Sequence, residues 1–407
     1  MPDCFFFSWR ELKLIDYLKA IELIDEREAI NFLRSLININ SVTNTGSEKA
    51  VSDVIKDRLK RSNLTLFPDP ISEKRENLIV SYNHEMKDED CKTLIFSGHF
   101  DTVPPGNVTW NYGIFEGEIK ENKLFGRGTT DMKSGVAAMV MAIECIAKAQ
   151  IKLNGNLRFV GTVGEEVDCF GAKRVIRNGE VEDATAIVIG EPTANKVKIA
   201  HKGVLWLKIS IFGKTAHGSM PSLGVNAIWG MNHFINELRN YPLRYENHPL
   251  LGESTLNIGM IQGGVSTNVV PDECTIYLDI RTVPGQNHED IERDIKTLVE
   301  KTTKQNSMSY QMETINDLAC VHTANDDPFI GLAKNTNKSL LNNDQPAGGV
   351  NYYTDGSIYS KALPHVPILI YGPGEPEIAH QPDEWVDLQK YIDSIKFYIK
   401  LAVDYLA

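Results

Sequence analysis

The sequence predicts an α/β protein, a mixed and largely parallel sheet with helices on both faces, into which a ferredoxin-like α+β domain is inserted. Two observations predict it. Four continuous apolar runs separated by helical stretches read as strands covered on both faces. One internal segment switches instead to strict alternation, with its elements in the order β-α-β-β-α-β.

Taken in order, "DEREAINFLRSLI" reads as a helix, "SVTNTGSE" as a turn and "EKAVSDVIKDRLKRS" as a second helix. The buried strands are "KTLIFSG" (92–98), "NLRFVGTVG" (156–164), "ATAIVIG" (184–190) and "HVPILIYG" (365–372). After Asp131, the residues Met132, Val136, Met139, Val140, Ile143 and Ile146 recur at helical spacing, which predicts an amphipathic helix on that sheet. From Val204, "VLWLKISIFG" turns Leu205, Leu207, Ile209 and Ile211 to one face and Trp206, Lys208 and Ser210 to the other, as in a half-exposed antiparallel strand. The helix "NAIWGMNHFINELR", the strands "STLNIGMI" and "ECTIYLDIRTV", the helix "HEDIERDIKTLVEKTTKQ" and the strand "SMSYQMETI" complete the unit. Residues 1–202 and 316–407 therefore form one domain in two segments, with 203–315 inserted between them.

The charge balance, 42 Lys+Arg against 54 Asp+Glu, gives −12 with no basic run, which argues against nucleic acid as a partner. No apolar run reaches the roughly 18 residues of a membrane span. The N-terminal "CFFFSW" is too short for a signal-peptide core and runs into charged "RELK". Six cysteines without C-x-x-C spacing indicate neither a disulfide framework nor a thiolate zinc site, and suit a reducing cytoplasm.

"GRGTTDMKSG", 126–135, has a glycine-spaced turn leading into a helix, as phosphate-cradling loops do, yet Asp131 stands where a dinucleotide fingerprint needs glycine. Read alone, Asp131 is a first-turn acid favoured by the helix dipole. Its company changes that reading. "SGHFDTV" puts His99 and Asp101 just past one apolar strand, "GEEVD" puts Glu165 and Glu166 past the next, "GEPT" puts Glu191 past a third, and His380 in "AHQPDEW" follows the C-terminal strand. Ligands bind open α/β sheets at this carboxyl edge. So many acids in one crevice would repel and take up protons unless a cation neutralised them. Histidine and carboxylate donors without thiolate suit zinc, with cobalt or manganese as alternatives. So many donors exceed what one open site needs, whereas two metals sharing a bridging carboxylate can use five side chains.

Together "SGHFDTVPPG", "GRGTTDMKSG", "GEEVDCFGAK", "GEPT" and "AHQPDEW" resemble the di-zinc amidohydrolases and exopeptidases that include acetylornithine deacetylase, succinyl-diaminopimelate desuccinylase and aminoacylase. The resemblance runs from about residue 26 to the end, and residues 1 to about 25 have no counterpart. It implies that Asp131 bridges two metals, that His99 and Glu191 complete one and Glu166 and His380 the other. It also implies that Asp101 orients His99 by accepting a hydrogen bond from its second ring nitrogen, that Glu165 is the general base, and that the Asp131–Met132 peptide is cis. Substrate contacts implied by the resemblance are His217 in "GKTAHGSMP", polarising the scissile carbonyl, and Asn268 and Arg281, holding a substrate carboxylate. The "GGVNYYTDGS" segment, with Thr354 and Asp355, replaces a variable glycine-rich loop near the substrate and is assigned no role.

The activity implied is hydrolysis of the amide bond of an N-acyl amino acid, since "YGPGEPEIAHQPDEW" and "AHKG" look closest to the acetylornithine deacetylase and desuccinylase branch; a dipeptidase or carboxypeptidase is the alternative. The resemblance further implies a homodimer through the inserted domain. A nonhydrolytic metal-dependent binding protein would have no use for Glu165, and a nucleotide-binding oxidoreductase is opposed by Asp131.

Overall fold

The structure, a computed structural model, describes residues 9–83, 91–305 and 307–406, with side chains from Leu14 onward. Cys4 and most of "CFFFSW" lie outside the described residues. The chain folds into two compact units: residues to Ala200 with His322–Gly349 and Thr354–Ala407, and His201–Val321 with Val350–Tyr353.

The first unit is built on a nine-stranded sheet. In spatial order its strands are Thr65–Ser72, Arg75–Tyr82, Asn156–Thr162, Thr93–His99, Ala186–Ile189, Ile368–Ile370, Lys198–His201 and Val321–His322, with Gly348–Val350 beside Lys198–His201. The four strands from 156–162 to 368–370 are parallel, and their neighbours on either side are antiparallel. This is the mixed, mostly parallel sheet that the apolar runs predict. Strand Thr65–Ser72 escaped the sequence reading because Pro68 and Pro70 interrupt it, and a sheet edge is where prolines are tolerated. Helices lie on both faces. A Cβ on Gly98 would meet Met132 and Val136, while the hydroxyl of its neighbour Ser97, pointing the opposite way, bonds that of Tyr359 in the Gly356–Ala362 helix.

Helix Glu26–Ile37 starts at Asp25, whose carboxylate accepts from the Glu28 N–H, and helix Glu48–Leu59 starts at Ser47, which accepts from Ala50. The N-terminal residues that the sequence left unassigned include a helix, Trp9–Ile21, which buries Tyr17 and Ala20 and packs on the C-terminal helix Leu388–Leu406.

Two findings correct the expected amphipathic helix after Asp131. The helix begins only at Ser134, because Asp131 and Met132 have non-helical backbone angles across a cis peptide. From Ser134 to Ala147 every residue is buried, so it has no wet face: helix Leu388–Leu406 covers the side away from the sheet. Even Glu144 is buried, its carboxylate accepting from Arg58 Nε at 2.7 Å. Close approach requires Gly135, where an added Cβ would stand 1.9 Å from the carbonyl oxygen of Gly190. Gly135→Ala is therefore expected to cost about 3 kcal/mol or more, since the opposing atom is backbone and has nowhere to go. Urea unfolding checks this, and an unchanged midpoint would show the approach to be soft.

The second unit is a four-stranded antiparallel sheet in the order Thr255–Gly263, Glu273–Thr282, Gly203–Phe212, Ser309–Leu318, with helices Ala227–Arg239 and His288–Gln305. Order and connection are those of the ferredoxin-like unit. Leu205, Leu207, Ile209 and Ile211 enter its core with Ile276, Leu278, Met231, Phe234 and Ile295, as the alternation predicts. No helix among the described residues is long and apolar enough to cross a membrane.

Candidate metal centre

Parallel strands end on one edge, so the residues following them converge. His99 is the last residue of strand Thr93–His99, and Asp101 lies two further on. Glu165 and Glu166 open the short helix after strand Asn156–Thr162, and Glu191 follows Ala186–Ile189. Asp131 lies between the Gly126–Gly128 turn and the buried helix, and His380 follows strand Ile368–Ile370.

These side chains form two groups with one shared member. In each of His99–Asp131–Glu191 and Asp131–Glu166–His380, the donor atoms lie within 4.8 Å of one another. His99 Nε2 is 3.1 Å from Asp131 Oδ1 and 3.6 Å from Glu191 Oε1. His380 Nε2 is 3.3 Å from Asp131 Oδ2 and 3.2 Å from Glu166 Oε2. The two carboxylate oxygens of Asp131 thus face different groups. In the first group His99 and Glu191 are deeply buried, whereas His380 in the second leaves 49% of its side chain exposed.

Charge in this crevice is frustrated without a cation. Burial, then the neighbouring acids, pushes Glu166 and Glu191 above the usual carboxylate range. Glu165 is raised too, by burial first and then by Glu191 and Glu166 against the pull of His99. Asp131 goes the other way: burial acts upward, but hydrogen bonds from His380 and His99 hold it far below. Hydrogen bonds to Asp131 and Glu166 push His380 up to about 10. His99 is raised as well, its bond to Asp131 and the surrounding carboxylates overcoming burial. The surrounding acids thus favour positive charge at this place, which divalent cations would supply. The donors are nitrogen and oxygen only, and Glu166 Oε1 is buried without a hydrogen-bond partner in the protein, so the residues present fit a pair of such cations.

Asp101 differs from expectation. His99 Nδ1 is 2.9 Å from the Asp101 backbone carbonyl and 3.6 Å from its carboxylate, so the main chain is the hydrogen-bond partner of the ring. The carboxylate instead accepts from the N–H groups of Glu165 and Glu166, both at 3.2 Å, and from Thr43 Oγ1 at 2.8 Å. It fixes the backbone that carries both glutamates.

The glycine-spaced turn does hold an anion, and it is one of the protein's own. Glu384 Oε1 accepts from the N–H groups of Gly128 (3.1 Å), Thr130 (2.8 Å) and Asp131 (3.1 Å), and Oε2 pairs with Arg127. Gly128, at φ +87°, supplies the left-handed bend. Sequence reasoning passed over Glu384, although it lies within "AHQPDEW", and also passed over the burial of Asp355, whose carboxylate accepts from Thr162 Oγ1.

The three residues expected to contact substrate, His217, Asn268 and Arg281, all fall in the second unit. His217, exposed, bonds Ser219 through Nδ1 at 2.8 Å and pairs with Val269, next to Asn268, whose carbonyl accepts from Gly218. Arg281 is elsewhere, near the far end of strand Glu273–Thr282 and opposite Val204. Its Nε and Nη2 are engaged by Asp279 at 2.8 and 3.2 Å.

A paired donor set sharing one aspartate, with a buried glutamate beside it at the carboxyl edge of an α/β sheet, defines a metal-dependent hydrolase. The chain belongs to peptidase family M20/M25/M40, whose profile matches residues 95–404. A probable succinyl-diaminopimelate desuccinylase of Staphylococcus epidermidis is 29% identical over 417 residues, covering 94% of this chain and 99% of its own. The acetylornithine deacetylase of Buchnera aphidicola is 32% identical over 304 residues, covering 72% and 76%. Among solved structures, the Bacillus subtilis YXEP protein, described as a dinuclear metal binding peptidase, shares the fold with a TM-score of 0.72 at 17% identity, covering 94% of this chain and 98% of its own.

Proposed function

We propose that the chain is a two-cation amidohydrolase that cleaves the amide bond of an N-acyl amino acid, of the desuccinylase or deacetylase kind, with a place in amino-acid biosynthesis. The observation that carries the reading is the shared Asp131, one oxygen toward each donor group, with Glu165 alongside. His99, Asp131 and Glu191 would hold one cation, and Asp131, Glu166 and His380 the other. Zinc suits these donors, with cobalt or manganese as alternatives. When bound, the cations supply Lewis acidity to the scissile carbonyl and to the attacking water. The chain's own part is proton handling. Glu165, with Oε2 4.0 Å from His99 Nε2, accepts a proton as water adds to the carbonyl carbon and returns it to the nitrogen as the C–N bond breaks, leaving an amine and a carboxylic acid that then releases its own proton. Asp101 keeps Glu165 in place through its N–H.

Side-by-side turnover of N-acetyl-ornithine, N-succinyl-diaminopimelate and simple dipeptides tests the substrate class. The acyl amino acids are expected to dominate. Faster dipeptide cleavage would favour the second reading, a dipeptidase or carboxypeptidase, which the peptidase family itself keeps in view. A reducing cytoplasm suits the five described cysteines, none of which is in a disulfide.

The second unit supports a homodimer. Its edge strand Thr255–Gly263 exposes Met260 and Ile261, and Trp229 on the adjoining helix is 64% exposed. His217 and Asn268 lie before the start of strand Glu273–Thr282 and Arg281 near its end, a separation of roughly 25 Å at about 3.3 Å per residue. One small substrate cannot touch both ends of that strand in one chain. If all three serve one site, His217 and Asn268 come from a twofold partner. The expected result is that inactive His217→Ala and inactive Glu165→Gln proteins, mixed under subunit exchange, regain roughly a quarter of wild-type activity, because one site of each mixed dimer has both residues. Mixed dimers that form and stay inactive would remove His217 from the partner's site.

A further inference from the structure

Two segments 257 positions apart meet at Arg127 and Glu384, and between them they carry the aspartate common to both donor groups and the imidazole unique to one. The Glu384 carboxylate gathers the N–H groups of Gly128, Thr130 and Asp131 on one oxygen and the Arg127 guanidinium on the other. Arg127 in turn donates through Nη2 to the carbonyl of His380 at 3.3 Å, and its guanidinium lies 5.1 Å from the ring of Trp110. Gly126 N–H donates to the Glu384 carbonyl, and Thr130 Oγ1 to that of Trp385, continuing the pairing of strand Trp385–Asp387 with Lys123–Phe125. Both charged side chains are almost fully buried.

His380 needs such an anchor. It lies outside helix and strand, at a left-handed φ of +66°, with half its side chain in solvent. His99 and Glu191, by contrast, are buried at strand ends. Asp131 has a second tether that Glu384 does not supply: Lys133 donates to the carbonyls of Leu36 and Ile39 at 2.9 and 2.8 Å, pinning the chain on its other side.

We infer that Glu384 and Arg127 are positioning residues that lock the Asp131 turn to the His380 loop, and so set the affinity of the outer cation site, Asp131–Glu166–His380, separately from that of the inner one. The inference rests on the two-cation reading above.

The test is zinc binding by the full-length protein, stripped and then equilibrated against buffered free zinc, with metal counted per chain and the cobalt form followed by visible absorption. Wild type is expected to fill two sites. Glu384→Gln keeps the shape but sets an amide N–H against Arg127; it is expected to fill the first site within about threefold of wild type and the second only at ten- to hundredfold higher zinc, as removal of ligand-orienting partners typically does. The cobalt absorption of the second equivalent should shift accordingly, and kcat should recover at saturating zinc. Should Glu384→Gln fail to fold, Arg127→Lys is read by the same criterion, since it keeps the charge but loses the bond to His380. A variant that binds both zincs as wild type does, or loses both together, overturns the inference and leaves the two-cation reading intact. A wild type that holds one zinc overturns both.

Discussion

Glu165→Gln is expected to keep both cations and to lose kcat by about 10² to 10⁴, the usual worth of a positioned acid–base group. Glu165 belongs to neither donor group, yet it is buried at the same edge with Oε2 4.0 Å from His99 Nε2. Burial and the neighbouring Glu191 and Glu166 raise its proton affinity, which is what a base must have if it is to take a proton and hold it until the amine departs. Glutamine preserves the shape and the N–H held by Asp101, and removes only the proton site. Metal content by atomic emission together with steady-state rates decides the matter. A variant that loses metal but keeps its rate per bound metal would mean that Glu165 and Glu166 have exchanged roles.

Asp131→Ala should be more destructive, because it removes a ligand from both groups at once. Among the described residues, neither His99–Glu191 nor Glu166–His380 forms a three-donor group without it. Hydrolysis is expected to fall to background, and chelator should no longer lower the thermal midpoint. In wild type, each bound cation at a thousandfold excess over its Kd contributes about 4 kcal/mol that chelation removes. A variant that still binds one cation with wild-type affinity would show that Asp131 does not bridge.

Much of this site was legible in the sequence for one physical reason. Strands covered on both faces read as continuous apolar runs, so the residues after Ser97, Thr162 and Ile189 could be placed on one edge from the sequence alone. Asp131 was legible only through that company, since locally it resembles a helix-start acid. What the sequence hid depends on distant partners. The helix from Ser134 has a sheet on one side and the C-terminal helix on the other, so its expected wet face is covered by residues from the far end of the chain. Asp101 and His99 are two residues apart, and spacing cannot tell that the ring takes the backbone oxygen rather than the carboxylate. Nothing local marks Glu384 as the anion for a turn 257 positions away from it.

The measurement that bears most directly on the shared role of Asp131 is a titration of the stripped protein with zinc, in which metal bound per chain and hydrolysis of an N-acyl amino acid are followed together. The predicted result is two zincs per chain, with activity rising until the second is bound and abolished by chelation. Full activity with a single zinc per chain, or activity that survives complete chelation, would contradict the bridging carboxylate on which the rest depends.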